Sequence, residues 1–152
     1  SPPPADARPE DLVTARSVLP EQYGRFLISV FEEWVHKDVG RIFIRDFDQA
    51  LASWSGAGAS LCVYAETCGR ATALEHNGDL YSCDHYVFPE FKLGNIHETP
   101  IRDLANSQPQ EQFGRNKAEL LPDCCKQCSV RFACNGVCLK DRFLHTPDGE
   151  FD

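Results

Sequence analysis

Residues 124–138 read CCKQCSVRFACNGVC, which places five of the chain's eight cysteines within 15 positions. The other three, Cys62, Cys68 and Cys83, lie upstream. Packing alone does not call for thiols at this density, so they are crosslinked, reactive or bound to metal. Cys125 and Cys128 are two residues apart and Cys134 and Cys138 three, spacers that suit one metal centre better than a bridge. The chain has no apolar export signal, and at 152 residues it does not need disulfides to hold a core. Metal is the preferred reading. Zinc would take Cys125, Cys128, Cys134 and Cys138 as one tetrahedral site, and Cys62, Cys68 and Cys83 with a histidine as another. Iron–sulfur clusters take the same thiolates at wider spacings. Spacing alone leaves both open; Cys-x5-Cys followed by a hairpin cysteine leans toward clusters.

Composition narrows the rest. Hydrophobic residues make up 42% of the chain, enough for a core, and the net charge of −8 argues against a nucleic-acid partner. No apolar run approaches a membrane span. There is no methionine anywhere, so the chain reads as a piece of a longer, cytoplasmic protein. Pro2, Pro3, Pro4 and Pro9 make the start a linker or ragged edge, and DLVTARSVL from Asp11 is ambiguous between helix and strand. The tail HTPDGEFD carries no structural signal.

Between Pro20 and Lys37, Tyr23, Phe26, Leu27, Val30, Phe31, Trp34 and Val35 recur at three- and four-residue steps, which predicts one helix with an apolar stripe ending near Gly40. Arg41–Phe47, RIFIRDF, reads as a buried strand, and Asp48–Trp54 as a short helix. Such an α/β rhythm implies a larger parallel structure that this portion completes. SGAGAS at 55–60 marks a boundary. Ala71–Asp84 predicts a hairpin turning at Asn77-Gly78, with Leu74 opposite Tyr81 and Thr72 opposite Cys83. Phe88–Leu93 reads as an irregular apolar loop, Thr99–Asn106 as a capped helix with Leu104 inward, and Gln108–Leu120 as a further helix.

CVYAETCGRATALEHNGDLYSCDHYVFPEFKLGNIHETPIRDL followed by CKQCSVRFACNGVCLKDRF resembles the C-terminal half of anaerobic sulfatase-maturating enzymes. These are radical S-adenosylmethionine proteins with a C-terminal SPASM domain. QYGRFLISVFEEWVHKDVGRIFIRDFDQAL is similar to the end of that family's partial barrel. The resemblance implies an α+β fold: the end of a partial (β/α) barrel over residues 1–58, then a small SPASM domain over 59–152 with a β-hairpin, short helices and cysteine-ligated cluster sites.

It also implies two auxiliary 4Fe–4S clusters. The first would be held by Cys62, Cys68, Cys83 and Cys138, and the second by Cys125, Cys128 and Cys134 with a further cysteine. The second set is one ligand short in this sequence, and Cys124 matches no ligand and reads as a bystander thiol. The Cys-x3-Cys-x2-Cys motif of the radical-generating cluster is absent: after Cys124 and Cys128 the third place is Arg131, and after Cys134 and Cys138 it is Asp141. S-adenosylmethionine and a third 4Fe–4S cluster would belong to a preceding N-terminal part, and this piece alone would be inactive.

The resemblance assigns Asp84 as the base that takes a proton from the target Cys or Ser as it is oxidised to formylglycine. A neighbouring anionic cluster and a dry site would raise the Asp84 pKa. The partners it implies are an unfolded sulfatase polypeptide and an electron donor such as flavodoxin or ferredoxin, with no nucleic acid and no membrane. His76 and His85 lie near the hairpin, and Tyr86, Phe88 and Phe91 read as core. Two rivals remain: another SPASM-type peptide-modifying radical enzyme, and a zinc-stabilised binding module without activity.

Overall fold

The computed structural model describes residues 16–142. The proline-rich start, most of the stretch from Asp11, and the HTPDGEFD tail lie outside the described residues. The elements in order are α1 (Pro20–Lys37), α2 (Arg45–Trp54), β1 (Ala73–Leu74), β2 (Asp79–Tyr81), a 3-10 turn (Pro89–Phe91), β3 (Lys92–Asn95), α3 (Ile101–Ala105), α4 (Gln108–Glu119), α5 (Asp123–Lys126), α6 (Arg131–Cys134) and a 3-10 turn (Leu139–Asp141). The class is α+β, with one antiparallel three-stranded sheet in the order β1-β2-β3.

The first core is aromatic. The α1 stripe brings Phe31 and Trp34 against Phe47 of α2, at ring distances of 5.3 and 5.6 Å. Trp34 is 2% exposed, and its Nε1 donates to the Ile42 carbonyl at 2.6 Å.

That bond helps explain why RIFIRDF is not a strand. The backbone N–H groups of Arg41 and Ile42 both donate to the Asp38 carbonyl, and the Ile42 carbonyl is taken by Trp34, so the segment's polar groups are spent on a local turn. Among the described residues no strand lies beside it. Ile42 and Phe43 are exposed, and α2 opens at Arg45, with Asp46 and Asp48 in its first turn where the helix dipole favours them.

The second core holds Leu80, Leu104, Phe113 and Leu121, with Tyr86, Phe91 and Phe113 in mutual edge-to-face contact at 4.7 to 5.8 Å. Tyr86 and Phe91 thus serve as core.

The hairpin forms, but one residue out of the expected register: Ala73 pairs with Tyr81 and Leu74 with Leu80. The loop has three residues rather than two. Gly78 sits at φ 89°, its N–H donates to the Glu75 carbonyl, and the Glu75 N–H donates to the Asp79 carbonyl. This is the type I turn with a left-handed bulge glycine, in which Asn77 keeps ordinary φ and its Oδ1 accepts from the Asp79 N–H. A one-residue slip reverses the face of each side chain. Phe88–Leu93 is likewise more ordered than expected, because the 3-10 turn delivers Lys92 to β3, where Lys92 Nζ pairs with Asp79 at 2.6 Å.

Two contacts join the cores. Trp54 of α2 meets Phe132 of α6 edge-on at 4.9 Å. The Tyr64 hydroxyl donates to Asp46 of α2 at 2.6 Å.

Candidate metal centre

All eight cysteines are free thiols. Helix α4 organises the upstream ones. Gln110, Gly114 and Lys117 fall on one face of it, at i, i+4 and i+7. Gln110 Nε2 donates to the Gly69 carbonyl at 2.6 Å and the Ser82 carbonyl at 3.0 Å, bracing the residues that adjoin Cys68 and Cys83. The Gly114 carbonyl accepts the Cys68 N–H at 3.2 Å. A side chain at Gly114 would put its Cβ 2.5 Å from the Cys68 carbonyl oxygen, so only glycine permits this approach. Lys117 Nζ donates to the carbonyls of Cys62 at 2.6 Å, Val63 at 2.9 Å and Ala65.

The thiols that this helix gathers act on one another. Burial pushes the Cys68 thiol up; Lys117 opposes the rise, while Cys138 and Cys62 add to it. Cys83 is pushed up to about 11, by burial first, with Asp84 and Cys138 contributing. Tyr86 is raised to about 12, again by burial first, then by Cys138, Cys83 and Cys68. The same helix face thus braces the backbone at or beside Cys62, Cys68 and Cys83, and His85, two residues after Cys83, stands 3.9 Å from the Cys138 sulfur.

Downstream, burial raises the Cys125 thiol, followed by its neighbour Cys124 and then Cys134. Cys128 joins this group through the backbone, its N–H donating to the Cys125 carbonyl at 3.2 Å.

The spacer between Cys134 and Cys138 divides the two groups. Asn135, Gly136 and Val137 all have positive φ, at 49°, 69° and 52°. A β-branched residue there is strained at a cost of about 1–3 kcal/mol. The left-handed run turns the chain sharply between Cys134 and Cys138, and the Cys138 sulfur comes out 3.9 Å from His85 Nδ1. Asn135 Nδ2 holds it by donating to the Tyr64 carbonyl at 2.7 Å. Buried Arg142 donates to the carbonyls of Gly136 at 2.9 Å and Asn135 at 3.3 Å.

The donor chemistry fits iron and sulfide. Around one zinc, with Zn–S of about 2.3 Å, four sulfurs of a tetrahedron would lie about 4 Å apart. Among the described residues, the group with all ligand atoms within 4.8 Å of one another is Cys83, Asp84 and His85, and no set of three cysteines is that tight. Thiol sulfurs are the donors an iron–sulfur centre takes.

Asp84 lies at the edge of the first group. The Cys83 thiol donates to Asp84 Oδ1 at 3.1 Å, and His85 Nε2 is 4.0 Å from Oδ2. His85 Nδ1 stands 3.9 Å from the Cys138 sulfur. The Asp84 side chain is 71% exposed and its pKa is lowered, first by the Cys83 hydrogen bond and then by His85. The expectation of a dry site with a raised pKa is not met in this state, because no element of the described chain covers the carboxylate and the thiol still carries its proton. A cavity of about 550 Å³ opens elsewhere, beside Cys68, Arg70, Gln110 and Arg115.

Sequence reasoning missed Gln110, Lys117 and Arg142, which read as ordinary surface residues. The left-handed spacer was announced by a second Asn-Gly dipeptide, Asn135-Gly136.

This arrangement can be set beside known proteins. Residues 62–129 match the family model of SPASM, an iron–sulfur cluster-binding domain. Over that stretch the chain is similar to SPASM domains. It is 52% identical, over 88% of its length, to the serine-type anaerobic sulfatase-maturating enzyme of Bacteroides thetaiotaomicron, of which it covers 32%. It is 29% identical over 83% of its length to the cysteine-type enzyme of Clostridium perfringens, covering 34% of that protein. The solved structure of native anSMEcpe with bound AdoMet and the Kp18Cys peptide superposes with a TM-score of 0.74 at 27% identity, over 91% of this chain and 38% of that one. The chain thus spans about a third of the length of the curated relatives it matches. Among the described residues no helix is long and apolar enough to cross a membrane.

Proposed function

We propose that this chain is the auxiliary-cluster part of a radical S-adenosylmethionine enzyme that oxidises a Cys or Ser of a sulfatase to formylglycine. The observation that carries the reading is the hydrogen bond from the Cys83 thiol to the carboxylate of Asp84. Cys62, Cys68, Cys83 and Cys138 would hold one 4Fe–4S cluster. Cys125, Cys128 and Cys134 would supply three ligands of another. A bound cluster supplies a one-electron acceptor close to the reacting residue.

Asp84 accepts the proton that leaves the target hydroxyl or thiol. Ligation prepares it for that task. A coordinated Cys83 has lost its proton, so the hydrogen bond that lowers the Asp84 pKa disappears and a negative charge takes its place. Both changes move the carboxyl upward, toward the range where a general base is effective. His85, on the other side, keeps the carboxylate oriented.

The reading divides the chain near residue 58, with the preceding part completing the barrel that holds S-adenosylmethionine and the radical-generating cluster. The substrate is an unfolded sulfatase segment, in keeping with the peptide-bound relative. Electrons leave through a carrier such as flavodoxin or ferredoxin. Eight free thiols suit the reducing cytoplasm.

The test is Asp84→Asn in the full-length protein, reconstituted anaerobically and given sulfatase-motif peptides with Ser or Cys at the target. Asparagine cannot take the proton, so formylglycine yield should fall about 100- to 10,000-fold with iron content unchanged. Full yield from that variant removes Asp84 from the mechanism. A wild-type protein that binds iron, cleaves S-adenosylmethionine and ignores both peptides points instead to another peptide-modifying SPASM enzyme.

A further inference from the structure

Lys117 is 1% exposed, and a buried ammonium needs an anion to offset its lost hydration. Nζ lies within hydrogen-bond reach of three separate carbonyls, those of Cys62, Val63 and Ala65, one for each N–H of an ammonium. Among the described residues no carboxylate pairs with it; burial disfavours its charge, and the groups whose ionised form would favour it are the thiols of Cys68, Cys62 and Cys138, three of the four in the first group. The ammonium is also held rigidly, because the same face of α4 is locked through Gly114 to Cys68 and through Gln110 to Gly69 and Ser82.

A cluster held by four thiolates is a net anion, and more so once it has taken up an electron. A fixed cation beside it stabilises the reduced form more than the oxidised one and so raises its reduction potential. We propose that Lys117 is the built-in counter-charge of the cluster held by Cys62, Cys68, Cys83 and Cys138, and that it sets the potential at which that cluster accepts an electron. This rests on the cluster reading above. In that role Lys117 touches neither substrate nor cluster; it acts through the field it creates and through the Cys62 turn that it clasps.

The experiment compares Lys117→Gln, Lys117→Met and Lys117→Arg with the wild type in the full-length protein, anaerobically reconstituted with iron and sulfide. Iron content is measured, and a potentiometric titration follows the EPR signals of the reduced clusters. Gln keeps donors for the carbonyls but no charge; Met keeps only volume; Arg keeps the charge. Removal of the charge should shift the midpoint of this cluster to more negative potential, so that at the wild-type midpoint the ratio of reduced to oxidised cluster falls about tenfold or more in the Gln and Met variants. Arg should restore it. A Gln variant that titrates like the wild type overturns the proposal, since lysine would then only brace the loop. Should Met fail to take up iron, loading by Arg but not Gln supports the counter-charge, and loading by Gln but not Arg overturns it. Failure of the cluster reading itself looks different: Cys138→Ala would then retain all of the iron that the wild type binds.

Discussion

The two groups of thiols are built by different means. Cys62, Cys68 and Cys83 are far apart in sequence and are placed by one helix face, through bonds from Gln110, Gly114 and Lys117 that bridge 28 to 55 residues in the side-chain cases. Cys125, Cys128 and Cys134 sit on short local turns: the Cys128 N–H donates to the Cys125 carbonyl and the Arg131 N–H to the Cys128 carbonyl. In the second group Cys128 and Cys134 are exposed and Cys125 partly buried; in the first Cys62 is exposed and Cys68, Cys83 and Cys138 are partly buried. The first group is thus braced chiefly by long-range bonds from α4, and the second chiefly by local turns, with Asn135 and Phe132 tying it to Tyr64 and Trp54. The proposed ligand set of the first cluster spans 77 positions, from Cys62 to Cys138, and so depends on that bracing.

The strongest way to break this asymmetry is Gly114→Ala. The new Cβ would lie 2.5 Å from a backbone oxygen that no rotamer change can move away. Overpacking of this kind costs about 3 kcal/mol at its upper end. Denaturant unfolding should show that loss, and iron analysis should show the first cluster's share missing while the second cluster's share remains. Equal loss from both sites would mean that α4 supports the whole domain rather than one ligand set. Gln110→Met is a gentler probe. It keeps volume but leaves the buried carbonyls of Gly69 and Ser82 without their donor, at a cost of about 2 kcal/mol. The expected result is a lower denaturation midpoint and slower iron uptake at the first site, with the Cys125 site loading normally.

The same asymmetry governs what could be read from the sequence. Local signals were legible: the α1 stripe, which gives a helix over Pro20–Lys37, and the Asn77-Gly78 turn. RIFIRDF was misleading because apolar residues in a row say nothing about whether a neighbouring strand exists to pair with them. The hairpin register slipped because Asn-Gly serves two turn geometries, and the bulge geometry at Gly78 won. The helix face that braces the first site was invisible. Gln110 and Lys117 are polar residues in a weakly amphipathic helix, and their burial at 2% and 1% is decided by residues more than 25 positions away. Spacing did not decide which cysteines belong together either; the grouping assigned to them came from family resemblance.

Tyr64 offers the finest test, because it ties the braced site to the aromatic region at α2. Its hydroxyl donates to Asp46, and its carbonyl accepts from Asn135 in the spacer between Cys134 and Cys138. Its pKa is raised to about 12, by burial first and then by the bond to Asp46. An unfolded tyrosine titrates near about 10, so between these values the folded chain binds more protons than the unfolded one. Stability from this group is therefore complete below about pH 10 and declines as pH rises toward the folded value. Tyr86 loses stability in the same range, since it too is raised to about 12, which makes the difference between wild type and Tyr64→Phe the informative quantity. Phenylalanine keeps the ring and the backbone carbonyl but loses the hydroxyl, and should cost about 1 kcal/mol at neutral pH. That gap should narrow above about pH 10 as the wild type loses its hydroxyl proton. A gap that stays constant across the alkaline range would show that the phenol titrates alike in both states and that the Asp46 bond does not couple the two regions.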